Sequence, residues 1–344
     1  MKYTTLPHTD IKVSKLCLGT MTWGNQNTKE EGFEQMDYAV EQGINFFDTA
    51  ELYPVPAEQK TYAETERIIG NWFKATGKRK DIVLASKIAG PGDYTAHIRT
   101  KPFQEGIAEA IDNSLKRLQT DYIDLYQLHW PERQTNTFGI RDYKHNDADA
   151  WKDNFNEVLH ALELAMKAGK IRHIGLSNEK AWGTMRYLEE AKMHNKPRMI
   201  TIQNAYSLLN RTFESDLAEI AIREDIGLLA YSPMAFGVLS GKYVEGTAAA
   251  DSRLKLFPRF ARYSSVNCTK ATTQYLKVAQ DHGVSLAQMA LAFVTAQPFL
   301  TSNIIGATKL EQLKENINSI HLELTDAMLD DIQKVHAEIP NPAT

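Results

Sequence analysis

Four polar side chains stand where short apolar runs stop. Asp48 closes the run 44–47, and Tyr53 follows it by five residues. Lys87 lies just beyond the run 82–85, and His129 closes the run 122–128. In a parallel sheet buried on both faces the strands are apolar, and polar residues gather at their C-terminal ends. Taken singly, each has an ordinary explanation as a turn, edge or loop residue. Taken together they fit hydride addition to a carbonyl without a metal. Hydride goes to carbon, so the oxygen must receive a proton. A free tyrosine, at a pKa of ~10, is a weak acid for that task. A neighbouring lysine ammonium is expected to lower that pKa by stabilising the phenolate. Asp48 would hold the lysine, and His129 would hydrogen-bond the carbonyl oxygen and orient it. A metal-dependent hydrolase needs clustered histidine and carboxylate ligands. His129 stands alone at its strand end, so no metal is expected.

The elements that must position these residues repeat along the chain. Residues 3–6 and 11–13 read as a small hairpin. Apolar runs then alternate with helical patterns. Strands are expected at 15–18, 44–47, 81–86, 122–128, 171–176, 199–202, 227–231 and 302–305. Helices are expected at 28–42, 64–74, 104–118, 154–168, 181–195, 213–224, 271–281, 285–296, 310–320 and 326–338. Gly43 and Gly169 read as helix C-caps. Eight strand–helix units point to a single (β/α)8 barrel domain over 1–344, with an N-terminal hairpin and extra helices and long loops on its C-terminal face. An open doubly wound sheet would carry a G-x-G-x-x-G turn after its first strand, and none is there. The connections 130–153 and 232–267 are long, and in a barrel such βα loops build the active face. Gly237-Val238-Leu239-Ser240-Gly241-Lys242 superficially resembles a P-loop, but it is one residue short and lacks the hydroxyl that binds magnesium.

The bulk numbers agree with an ordinary globular chain. It has 344 residues, 43% hydrophobic and 24% charged, with a formal charge of −4. A nucleic-acid binder would show a basic field instead. Cys17 and Cys268 read as free thiols of a reducing compartment. Residues 1–5 carry no apolar signal segment, and no stretch approaches ~18 apolar residues, so a cytoplasmic protein with no membrane partner is expected.

Longer motifs then resemble the aldo-keto reductase family over nearly the whole chain. They are Leu18-Gly19-Thr20-Met21-Thr22-Trp23-Gly24, Gly43-Ile44-Asn45-Phe46-Phe47-Asp48 with Tyr53, and Ile82-Val83-Leu84-Ala85-Ser86-Lys87. Asp121-Tyr122-Ile123-Asp124-Leu125-Tyr126-Gln127-Leu128-His129 and Gly169-Lys170-Ile171-Arg172-His173-Ile174-Gly175-Leu176-Ser177-Asn178 complete the set. Within the family, Tyr53-Pro54-Val55-Pro56, His129-Trp130-Pro131 and Gln203-Asn204-Ala205-Tyr206 are similar to the bacterial Tas-like, NADP(H)-dependent branch. That branch is related to the potassium-channel β subunits.

The resemblance implies NADPH-dependent reduction of aldehydes or ketones, with Asp48, Tyr53, Lys87 and His129 as the catalytic set and Tyr53 as general acid. It implies that Ser177, Asn178 and Gln203 hold the nicotinamide carboxamide and that Tyr231 stacks on its ring. Gly19, Thr20, Met21 and Asp48 would border the cofactor. Ser232, Pro233, Met234, Ala235 and Gly237 would wrap the pyrophosphate with backbone N–H groups, and Lys242 would add charge. Gly306, Thr308, Gln312, Glu315 and Asn316 would meet the adenosine end. Arg253, aided by Ser252, would face the 2′-phosphate, and Lys309 is a second source of that charge. Trp23, Trp130, Phe138 and Phe236 lie on βα connections and are expected to line an aromatic pocket for a small carbonyl substrate. The rival expectation is an NADP(H)-binding sensor or regulatory subunit with negligible turnover. Oligomeric state is open.

Overall fold

A computed structural model describes every residue except Asp93 and Tyr94, with Arg259 described in its backbone alone. Two short strands, β1 (Tyr3–Thr5) and β2 (Lys12–Ser14), pair antiparallel. Eight parallel strands then close into a barrel: β3 (Leu16–Gly19), β4 (Phe46–Asp48), β5 (Val83–Ile88), β6 (Ile123–Leu128), β7 (Ile171–Ser177), β8 (Met199–Ala205), β9 (Gly227–Tyr231) and β10 (Leu300–Ile305). β10 pairs with β3 to complete the circle. The (β/α)8 architecture expected from the alternation is the observed one.

The barrel interior is filled. Cys17, Phe46, Ala85, Leu125, Ile200, Leu229 and Ile304 form one buried cluster, one side chain from each of seven strands. Leu6 and Val13 of the hairpin belong to it, so the hairpin closes the end of the barrel opposite the strand C-termini. A larger apolar layer lies between strands and helices, with Leu16, Phe47, Leu84, Tyr126 and Ile174 facing outward.

Around the barrel run α1 (Lys29–Glu41), α2 (Glu64–Thr76), α3 (Phe103–Leu118), α4 (Phe155–Lys167), α5 (Ala181–Met193) and α6 (Leu217–Arg223). After β9 come α7 (Arg253–Leu256), α8 (Val266–Asp281) and α9 (Leu286–Thr295), and after β10 come α10 (Leu310–Asn318) and α11 (Asp326–Glu338). Thr28 and Glu31 form a reciprocal capping box at the start of α1. Gly43 and Gly169, at φ +85 and +73, take the left-handed conformation that ends α1 and α4.

The structure departs from the sequence reading in three places. The segment 213–224 is not one helix. A 3-10 turn, Thr212–Ser215, is separated from α6 by Asp216, whose carboxylate accepts from Leu217 N and so replaces a helical bond. The start of α8 lies five residues before the expected 271, because Ser265 caps it by accepting from Cys268 N. The connection 232–267 holds two 3-10 segments, Ala235–Ser240 and Pro258–Tyr263, besides α7. Among the described residues no helix is long and apolar enough to cross a membrane.

Candidate active site

Two strand ends meet around one ammonium group. Asp48 ends β4 and lies in register with Gly19 of β3 and Ala85 of β5. Two residues on from Ala85, Lys87 is fully buried. Its Nζ donates to Asp48 Oδ2 at 2.6 Å, to the Thr49 carbonyl at 2.8 Å and, at the limit of a hydrogen bond, to Tyr53 Oη at 3.5 Å. All three ammonium hydrogens therefore have an acceptor. Asp48 Oδ1 accepts from Gln203 Nε2 at 2.8 Å and Gln127 Nε2 at 3.3 Å, so the carboxylate is held on both oxygens. The ring of His129 meets Tyr53 edge-on, centroids 5.7 Å apart. Behind it Asn178 Nδ2 donates to the His129 carbonyl at 2.8 Å, and Tyr231 Oη donates to Asn178 Oδ1 at 2.6 Å. Asn178 adopts a left-handed conformation (φ +54), which these two bonds hold in place.

Burial sets the protonation states. It lowers the Lys87 pKa, but Asp48 and Tyr53 outweigh it, and the net direction is upward. Lys87 is thus a cation at neutral pH. Burial also pushes the Tyr53 phenol up; Lys87 pulls it down and Asp48 pushes it up again, and the net result is a rise. The sequence-based expectation of a lowered tyrosine pKa is corrected here: desolvation exceeds the lysine's help. Burial, reinforced by Lys87, holds His129 well below the ordinary histidine range, so its imidazole is neutral. Among the described residues its Nδ1 is buried without a partner.

A cavity of about 1170 Å³ opens above this set. Tyr53, His129 and Asp48 line it, while Lys87 sits behind them. Every residue expected at the cofactor lines the same cavity except Ala235. Trp130, Phe138 and Phe236 line it as well. Trp23 does not: it is wholly buried, and its indole donates to Gln35 Oε1 of α1 at 3.1 Å, so its assignment to the substrate pocket is withdrawn. The expected backbone donors also need correction. Ala235 N donates to the Ser232 carbonyl and Gly237 N to the Met234 carbonyl, so both N–H groups are consumed inside the turn. Residues that sequence reasoning missed complete the wall, notably Thr137, Gly139, Phe260 and Arg262. They lie on the two long loops, where no periodicity marks an inward face.

The far end of the cavity is organised for an anion. Arg253 Nε and Nη2 donate to Gln26 Oε1 at 3.1 and 2.9 Å, and burial pulls its pKa down to about 10. Among the described residues neither Arg253 nor Lys242 forms an ion pair with a carboxylate, whereas Lys309 reaches Asp251 at 3.8 Å. On α10, Gln312 Oε1 accepts from Thr308 N at 3.2 Å, and Asn316 Nδ2 donates to the Gly306 carbonyl at 3.3 Å. Glu315 accepts from Ser285 Oγ at 2.7 Å. Two cations without ion-pair partners and an imidazole nitrogen without a hydrogen bond, among the described residues, lie along a single cavity and fit a bound dinucleotide. Among the described residues no cluster of histidine, cysteine and acidic side chains could hold a metal ion.

A barrel with this arrangement at its strand ends belongs to a known class of oxidoreductases. The Aldo/keto reductase family profile matches residues 15–337, and the chain belongs to that family. Protein tas of Escherichia coli is 49% identical to it, with 100% of both chains covered. The uncharacterized oxidoreductase YrpG of Bacillus subtilis is 35% identical over 96% of this chain and 94% of its own. A probable voltage-gated potassium channel subunit beta of Oryza sativa is 30% identical over 97% and 96%.

Proposed function

We propose that this protein reduces aldehydes and ketones to alcohols with NADPH, and that Tyr53 delivers the proton. The observation that carries the reading is the Asp48–Lys87–Tyr53 chain, buried at one end and open to a large cavity at the other. When bound, the reduced nicotinamide supplies the hydride. As the carbonyl carbon accepts it, the C=O π pair moves to oxygen, and Tyr53 Oη gives that oxygen its proton. The phenolate left behind faces the Lys87 ammonium, and solvent returns the proton. Neutral His129 donates a hydrogen bond that orients the carbonyl.

The same reading assigns the remaining contacts. Ser177, Asn178 and Gln203 would hold the carboxamide, with Gln203 also fixing Asp48. The Tyr231 ring would support the nicotinamide, and Gly19, Thr20 and Met21 would flank it. Ser232, Pro233, Met234 and Lys242 would take the pyrophosphate. Arg253 and Ser252 would take the 2′-phosphate, and Gly306, Thr308, Gln312, Glu315 and Asn316 the adenosine end. Trp130, Phe138 and Phe236 favour aromatic and dicarbonyl aldehydes over sugars. Both cysteines are buried and free, which suits the reducing environment of the cytoplasm.

Multiple-turnover NADPH oxidation with aromatic aldehydes, dicarbonyls and free aldoses tests the proposal. Many turnovers, fastest with the first two classes, are expected. Tight NADPH binding with one slow turnover would favour instead a cofactor-binding sensor or regulatory subunit; the Oryza sativa relative is named a probable channel subunit. Faster turnover of aldoses would overturn the pocket assignment.

A further inference from the structure

The chamber above Tyr53 contains a cation that hydride transfer does not need. Arg262, in the 3-10 segment Pro258–Tyr263, lines the cavity. Its guanidinium lies 4.8 Å from the centre of the Tyr263 ring and 5.7 Å from that of Phe236. The hydroxyls of Tyr231 and Tyr263 face it. Two paths of contact lead from it to the carbonyl site. Along one, its stem packs on Gly139, next to Phe138; Phe138 packs on Trp130 at 5.9 Å, and Trp130 on His129 at 5.0 Å. Along the other, Tyr231 bonds Asn178, which bonds the His129 carbonyl. Arg262 therefore belongs to the same aromatic chamber as the proton donor.

Among the described residues no carboxylate forms an ion pair with Arg262. Arg262 lies half-buried against these rings and phenol hydroxyls, and a ligand anion in the cavity would give its fork the carboxylate partner that no described residue supplies. The planar fork of arginine matches a carboxylate in two parallel hydrogen bonds. The cations assigned to the cofactor phosphates, Lys242 and Arg253, are separate residues; Arg253 meets Phe236 at 5.1 Å. We propose that the substrate is a carbonyl acid, an aldehyde or ketone bearing a remote carboxylate, and that Arg262 binds that carboxylate. The inference rests on the carbonyl-reductase reading above and narrows its substrate class.

The test compares 4-carboxybenzaldehyde with its methyl ester, of the same shape but uncharged, under saturating NADPH. The wild-type ratio of kcat/KM, acid over ester, is expected to exceed about tenfold, and Arg262→Gln to lower that ratio at least about tenfold, mostly through KM. Arg262→Lys should keep part of the preference. A wild-type ratio near one, or an unchanged ratio in Arg262→Gln, overturns the inference. So does a loss of NADPH affinity in the variant with the ratio intact, which would assign Arg262 to the cofactor. Wild type alone supplies a second reading if the variant does not fold: benzoate should bind the NADPH complex at least about tenfold more tightly than benzamide, and equal binding would overturn the proposal. Failure to turn over either aldehyde, with benzoate still preferred, would sink the reductase reading and leave the carboxylate site standing.

Discussion

Lys87 has three ammonium hydrogens and three acceptors, and this closed count is what makes the site legible at the scale of single residues. A buried cation that keeps its charge must be paired, and Asp48 and Lys87 were visible in the sequence because both interrupt otherwise apolar runs. What was not visible was the balance of terms on Tyr53. Sequence shows that a lysine is near; only burial shows that desolvation exceeds its pull. The consequence is a pH profile. An acid whose pKa is raised stays protonated through neutral pH, so kcat/KM for reduction should be flat to about pH 9 and fall only above the ordinary tyrosine value of ~10. A neutral His129, its pKa depressed, adds no limb near 6.5. An inflection between pH 6 and 8 that vanished in His129→Gln would contradict this assignment. Trp23 illustrates the opposite limit: an aromatic on a βα connection reads as pocket or as anchor equally well, and only the Gln35 bond decides.

At the scale of elements, the loop that carries Tyr53 is held by charge rather than by secondary structure. Glu51 Oε1 accepts from Ala89 N at 2.7 Å, just beyond β5, and Arg99 Nη2 donates to both Glu51 carboxylate oxygens, at 3.0 and 3.1 Å. Both side chains are buried. Burial raises the Glu51 pKa, and Arg99 opposes the rise. Arg99→Met should therefore cost about 3–5 kcal/mol in urea unfolding. A raised carboxylate pKa means that the folded state binds the extra proton, so the deficit is absent below about pH 4.5 and grows as pH rises through the folded pKa. A variant equally unstable at pH 5 and pH 8 would show that the loop is held otherwise. Barrel strands and their helices were readable from periodicity, because each has one buried face or two. The Glu51–Arg99 pair was not, since its partners are 48 residues apart with no motif between them. Nor were Arg262 and Gly139, which reach the cavity from loops whose course depends on the finished barrel.

At the scale of the whole molecule, one cavity joins Asp48, Tyr53 and His129 to residues of α10. A ligand that spans it ties both halves of the barrel face together and should stabilise the fold. NADPH at a hundred times its Kd is expected to add about 2.7 kcal/mol. NADH at equal concentration should add less, and Arg253→Met should narrow the gap between them. Equal shifts in melting temperature for both cofactors in the wild type would remove Arg253 from the 2′-phosphate.

Proton donation by Tyr53 is tested most directly by Tyr53→Phe in multiple-turnover NADPH oxidation with an aldehyde that the wild type reduces, alongside a titration of NADPH binding. If Tyr53 is the donor, kcat falls at least ~10²-fold with NADPH still bound; a variant with near-normal kcat would show that the proton comes from elsewhere.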